Sequence, residues 1–264
     1  NPWTLSPTNF FDETLKLKTL FAALINASSD DIAIIPSASY GLASAAKNIP
    51  LQAGQKILVI EDQFPSNIYC WRERAKETGA QIKVVKTPKD RDWTAAVLDH
   101  ITDQVALAAL PNNHWADGGI LDLVKIGAAL RDVDAKLVLD VTQSLGVMPL
   151  DVRAVQPDFL VVAAYKWMLC PYSVGFMYVS PENQQGDPLE YNWLNRAGSE
   201  DFAGLVKYQD DYQPGAVRFD MGQRANFALL PMAVSALNDL LQWGPQNIYD
   251  ALGLMNDRIA EEAA

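Results

Sequence analysis

The stretch FLVVAAYKWMLCPYSVGFMYVSP, residues 159–181, decides the fold. An apolar run closes at Ala163-Ala164-Tyr165, Lys166 follows, and a second apolar run begins after Pro171. Two such runs joined by so short a link read as buried strands that can pair antiparallel. A lysine seldom closes a buried strand. Desolvation disfavours an ammonium, which makes Lys166 a candidate Schiff-base nucleophile. The plainer alternative is a snorkelling lysine, its stem buried and its head wet.

Outward from this stretch, apolar runs recur at 32–36, 56–62, 81–87, 105–111 and 136–141, which with 159–165 and 174–180 make seven. Helical patterns at 41–49, 67–79, 94–101 and 122–133 separate them. Strands apolar throughout and alternating with helices predict an α/β fold, a mostly parallel seven-stranded sheet between helices. Residues 181–226 are polar and read as long loops, and ALLPMAVSALNDLLQWG (228–244) returns to helical periodicity. The expected division is an N-terminal segment (1–30), a large ligand-binding domain (31–240) and a helix (241–264) leading toward a C-terminal domain. DALGLMNDRIAEEAA reads as a helix without a stop signal, so sequence is expected to continue at both ends.

The chain has 264 residues, 49% hydrophobic and 20% charged, which suits a globular protein with a sizeable core. A net charge of −11 and the lack of a basic stripe argue against a nucleic-acid partner. Cys70 and Cys170 form neither a metal motif nor a disulfide framework, so a reducing, cytoplasmic location is expected. No stretch reads as a membrane span.

In open α/β sheets ligands bind beyond the carboxyl ends of the strands. PSASYGLASAAKNI places Ser37, Ala38 and Ser39 at a helix N-terminus, where free N–H groups favour a phosphate; a plain serine cap is the alternative. LVLDVTQSLG places Asp140 at a strand end, with Gln143 three residues on. A carboxylate there can pair with a protonated pyridine nitrogen, and Gln143 can donate to a phenolic oxygen. PNNHWADGGILDL holds His114 and Trp115, either of which can face a flat ring, or simply pack. Tyr165 can bond a phosphate. Trp193, Asn195, Arg196, Gln223 and Arg224 lie in polar loops able to reach a neighbouring subunit. Taken in order, the set points to a pyridoxal phosphate (PLP) site.

The motifs SASYG, NNHWADGGILDL, LDVTQS and AAYKWMLCPYSVGFMYV resemble the class V aminotransferase family of fold-type I PLP enzymes. That family includes cysteine desulfurases, kynureninase and isopenicillin N epimerase-like proteins, and the resemblance covers most of the chain. It implies that Lys166 carries the cofactor as a Schiff base, Asp140 pairs with the pyridine nitrogen and Gln143 contacts the phenolic oxygen. Ala38 and Ser39 would hold the phosphate, with Tyr165 in the place of a phosphate-binding tyrosine, and Trp115 or His114 would face the ring. A homodimer is implied, with Trp193 and the Gly222-Gln223-Arg224 turn near the partner's cofactor. The expected substrate is an amino acid and the expected reaction transamination. Desulfuration or other lyase chemistry, kynureninase-like hydrolysis and a non-catalytic scaffold are the alternatives. A Rossmann-type nucleotide enzyme is disfavoured, since no Gly-x-Gly-x-x-Gly follows a strand. Cys170 stands in the wrong place for a desulfurase cysteine and reads as a small buried hydrophobe.

Overall fold

A computed structural model describes residues 2–263. The seven strands are β1 (Ile32–Ile35), β2 (Lys56–Ile60), β3 (Gln81–Val85), β4 (Val105–Pro111), β5 (Lys136–Asp140), β6 (Phe159–Ala163) and β7 (Gly175–Val179). They form one sheet in the order β1-β7-β6-β5-β4-β2-β3. β7 runs antiparallel to both β1 and β6, while the remaining neighbours pair parallel. The mostly parallel α/β sheet read from the sequence is therefore the observed one, including the antiparallel pair across the Lys166 turn.

The helices are α1 (Asn9–Ile25), α2 (Ala38–Asn48), α3 (Ser66–Thr78), α4 (Trp93–Leu98), α5 (Leu123–Asp132), α6 (Val152–Val155), α7 (Leu230–Trp243) and α8 (Pro245–Ala263). Strands buried on both faces send alternate side chains to opposite layers. Leu137 and Leu139 of β5 meet Phe21, Ile126 and Leu237 on one side. Val138, between them, joins Leu42 and Trp71 of α2 and α3 on the other. Edge strand β3 exposes Gln81, Lys83 and Val84. The N-terminal α1 enters the core through Leu17, Phe21 and Ile25, with Phe21 stacked on Phe176 at 4.3 Å.

Several strands end sooner than their apolar runs. β2 stops at Ile60, because Glu61 and Asp62 turn away, Asp62 with φ 50°. β6 stops at Ala163, which places Tyr165 and Lys166 in a tight turn beyond the strand. Backbone bonds from Ala164 to Val174, Leu169 to Lys166 and Cys170 to Ala164, at 3.0 to 3.1 Å, hold that turn.

Charge is also buried away from the strand ends. Asp220 is fully enclosed, and its Oδ2 accepts from Lys18 Nζ (2.8 Å) and Arg224 Nη1 (2.6 Å). Its Oδ1 accepts the Ile34 N–H at 2.6 Å, and Arg224 also donates to Asn195 Oδ1. This cluster ties α1, β1 and the 190–224 loops together. Burial pulls the Lys18 ammonium below its usual range, the Asp220 charge opposing that shift.

Candidate active site

At the carboxyl ends of β1, β4, β5 and β6 lies a cavity of about 860 Å³, its open mouth included. Its walls hold Ser37, Ala38, Ser39, His114, Trp115, Asp140, Gln143, Tyr165 and Lys166. Trp193, Asn195, Arg196, Gln223 and Arg224 lie elsewhere, Trp193 against Phe10 and Phe202.

Local sequence explains the convergence. Ser37 caps α2, its Oγ accepting from the Tyr40 N–H at 3.2 Å and lying 2.9 Å from Ser39 Oγ. Gly41 lets α2 lie close on the sheet, since a Cβ there would fall 2.8 Å from Ile35 and Val161 side-chain atoms. The N-terminus of α2, with Ser37, Ala38 and Ser39, therefore lines the cavity. Asp140 sits level with Pro111 of β4 and Val161 of β6, which sets it beside the Lys166 turn. Gly146, with φ 105°, brings the loop after β5 against that turn; a Cβ there would fall 2.6 Å from the Trp167 carbonyl oxygen.

Asp140 is buried and accepts the Thr142 N–H at 3.1 Å. Among the described residues it makes no ion pair. Burial raises its carboxyl above the usual range, against the opposing pull of Thr142 and the Lys166 charge. Lys166 is half-buried, with Nζ 5.5 Å from the Phe64 ring centre and 5.9 Å from that of Tyr165.

The two residues of the aromatic loop differ. His114 is 3% exposed and held from both sides, with Nε2 3.1 Å from the Glu61 carbonyl oxygen and Nδ1 2.9 Å from Asp117 Oδ1. The Asp117 N–H also lies 3.4 Å from Nδ1. The ring lies 5.0 Å from Trp93. Trp115 is half exposed; its Nε1 donates to the Asp62 carbonyl at 2.6 Å and its ring meets Phe64 edge-on at 5.7 Å.

Phe64 is thus an aromatic ring placed directly beside Lys166. It belongs to a group that sequence reasoning missed: Gln63, Phe64, Ser66 and Asn67, in the loop from β2 into α3. The signal was EDQFPSN, an aromatic and amides following a parallel strand. Three buried amide atoms in this wall lack partners: Gln63 Oε1, Asn67 Nδ2 and Asn113 Oδ1. The first two assignments are firm, because Gln63 Nε2 donates to two carbonyls and Asn67 Oδ1 accepts from Trp71 Nε1. Buried polar atoms are almost always paired, so such a wall is built for a ligand or its water.

The PLP implied by the resemblance needs an anion seat, a carboxylate for its ring nitrogen, a donor for its phenolic oxygen and an amine. The α2 N-terminus, Asp140, Gln143 and Lys166 meet those needs within one cavity. The unpaired amide atoms, and Asp140 without an ion pair among the described residues, show a pocket with polar capacity to spare. The residues present fit the group.

Arg224 is 2% exposed and committed to Asp220, so only Gln223 of its turn faces solvent. Both thiols are poor nucleophiles, since burial pushes Cys70 and Cys170 up to about 12.

Comparison with known proteins adds an independent line. A profile of the family described as "Aminotransferase class-V" matches residues 8–192. The chain is 29% identical over 233 residues to an uncharacterized aminotransferase, YcbU, of Bacillus subtilis, covering 87% of this chain and 59% of that protein. It is 32% identical over 167 residues to a probable cysteine desulfurase of Methanothermobacter thermautotrophicus, 62% of this chain and 41% of that one. The chain thus spans about half the length of the curated relatives it matches. Among solved structures it resembles a C-DES mutant with glycine covalently linked to its PLP cofactor: TM-score 0.82, 20% identity, 92% of this chain and 64% of the other. The apo cysteine desulfurase of Thermococcus onnurineus follows, with TM-score 0.77 and 20% identity over 89% of this chain and 58% of the other. These structural likenesses establish the fold, and the match across residues 8–192 establishes the family: the chain belongs to the class V aminotransferases.

Proposed function

We propose that this protein is a PLP-dependent enzyme acting on an amino acid, with transamination as its reaction. The observation that carries the reading is the meeting of Asp140, Gln143, Lys166 and the α2 N-terminus in one cavity. When bound, the cofactor supplies an electron sink for the substrate α-carbon.

The chain's own residues do the rest. Ser37, Ala38 and Ser39 bind the phosphate through first-turn N–H groups and hydroxyls, and the Tyr165 hydroxyl adds a bond. Asp140 holds a proton on the ring nitrogen; the cation it faces there removes the cost of burying its charge. The Gln143 amide donates to the phenolic oxygen. Phe64 and Trp115 shield the ring side from water. Lys166 Nζ takes the substrate α-proton as general base. Residues 31–240 form the cofactor-binding domain in this reading, and α8, with Leu254, Met255 and Ile259 exposed, begins the connection to a C-terminal domain. A cytoplasmic homodimer with Trp193 and Gln223 near the partner's pocket completes it.

Added PLP is expected to give a visible-edge absorbance band in the wild type and a shifted one in Lys166→Ala. The absence of any change in both proteins would refute the assignment. Cysteine desulfuration is the second reading, supported by the desulfurase relatives. It is disfavoured by Tyr165 and the His114-Trp115 loop, which depart from the desulfurase pattern. Release of a keto acid from the substrate supports transamination; release of alanine with sulfide or anthranilate points to desulfuration or kynureninase-like hydrolysis.

A further inference from the structure

We infer that Thr142 is a positioning residue of this site: it holds the Asp140 carboxyl at a fixed offset from the Lys166 turn and so sets how firmly Asp140 keeps a proton on the cofactor's ring nitrogen. The inference rests on the cofactor reading above and deepens it, from the groups that meet the cofactor to the group that holds them in place.

The β5–β6 ladder supplies the frame. Asp140 lies opposite Val161, and the Val141 N–H still donates to the Val161 carbonyl at 3.0 Å. At the next step a side chain takes over: Thr142 Oγ1 accepts the Ala163 N–H at 3.0 Å. Ala164 is pinned in turn, its N–H donating to the Val174 carbonyl and its carbonyl accepting from the Cys170 N–H, each at 3.0 Å. Lys166 stands two residues on. Thr142 thus grips the strand end that carries the lysine.

Its remaining groups reach Asp140. The Thr142 N–H donates to Asp140 Oδ1 at 3.1 Å. A hydroxyl that accepts a hydrogen bond still has its own proton to give, and the Asp140 carboxyl receives it. Burial raises the Asp140 pKa; the Thr142 hydroxyl and N–H oppose that rise, ahead of the Lys166 charge. Thr142 is itself buried, so water competes little for these bonds. It therefore counters the burial that would neutralise Asp140, and a charged carboxylate is what a protonated ring nitrogen pairs with. Among the described residues, Lys166 and Cys70 are the titratable groups coupled to Asp140, and substitution at Thr142 leaves both in place.

The test is a carboxyl titration. Cofactor-free protein carrying carbon-13 at its aspartate carboxyls is titrated by NMR, and the Asp140 signal is the one that Asp140→Asn removes. Thr142→Val keeps the N–H and the branched shape but loses the hydroxyl. It should raise the Asp140 midpoint by about one pH unit, while Thr142→Ser, which keeps the hydroxyl, should stay near wild type. PLP binding, read from visible absorbance, should weaken about tenfold in Thr142→Val and little in Thr142→Ser. An unchanged midpoint or unchanged PLP binding in Thr142→Val, or a serine variant that shifts as far as the valine one, overturns the inference while wild-type PLP uptake leaves the cofactor reading standing. Thr142→Ala replaces Thr142→Val if the latter does not fold. Failure of both to fold beside a sound Thr142→Ser makes the hydroxyl a structural fastener, which also overturns the inference. A wild-type protein that takes up no PLP fails the cofactor reading, and the inference falls with it.

Discussion

Two buried aspartates of this chain live in opposite surroundings. Asp220 is fully enclosed and saturated: two cations sit at 2.6 and 2.8 Å from one oxygen and a backbone N–H binds the other. Asp140 is nearly as buried, yet among the described residues it meets the Thr142 N–H at 3.1 Å and no cation in contact. Around Asp140, the amides of Gln63, Asn67 and Asn113 are also left partly unpaired. Buried polar groups without partners cost free energy, and they persist where function uses them. Asp220 is a fastener between α1, β1 and the 190–224 loops. In the proposed reading, the partner of Asp140 arrives with the cofactor.

Turnover should separate the two aspartates most widely. Lys166→Ala is expected to lower turnover by on the order of 10³-fold or more, the scale of losing a general base. Asp140→Ala should follow it downward. Asp220→Ala should lower activity only as far as it lowers the folded fraction. A per-folded-molecule rate that drops equally for both aspartates would erase the distinction.

Stability should reverse the order. Asp220→Ala leaves Lys18 and Arg224 buried without their carboxylate, a loss of about 3–5 kcal/mol measurable by urea unfolding. In the cofactor-free protein Asp140→Asn should instead raise stability, by on the order of 1 kcal/mol. The pH dependence gives the sign. The folded-state pKa of Asp140 is raised, so the native state holds its proton more tightly than the unfolded chain. Stability therefore falls as pH rises from the unfolded carboxyl value through the folded one, and the cost is complete above it. Asp140→Asn should lack that fall, and a wild-type profile parallel to the variant's would contradict the burial argument.

The smallest effect concerns the thiols. Cys70 and Cys170 should react slowly with a thiol reagent in the native protein at neutral pH and quickly once unfolded. A fast-reacting Cys170 in the folded protein would contradict its burial.

The sheet was legible because its strands are apolar at successive positions, a pattern that burial on both faces imposes. Their ends were less so: apolarity continues through Ala164 and Tyr165, where the backbone has already turned. Asp140, Gln143 and Lys166 were legible because strand ends in a parallel sheet share one edge. Phe64 was not, since an exposed phenylalanine beside a proline looks like any loop residue until Lys166 stands over it. The burial of the Arg224–Asp220 pair was equally hidden, for nothing local marks the second cation on Asp220, Lys18, which is 202 residues away in sequence.

Borohydride reduction of the PLP-treated protein, followed by peptide mass mapping, tests the central claim most directly. The account predicts one reduced pyridoxyl group, on Lys166, and its loss in Lys166→Ala. Attachment at another lysine, or none in the wild type, would contradict it.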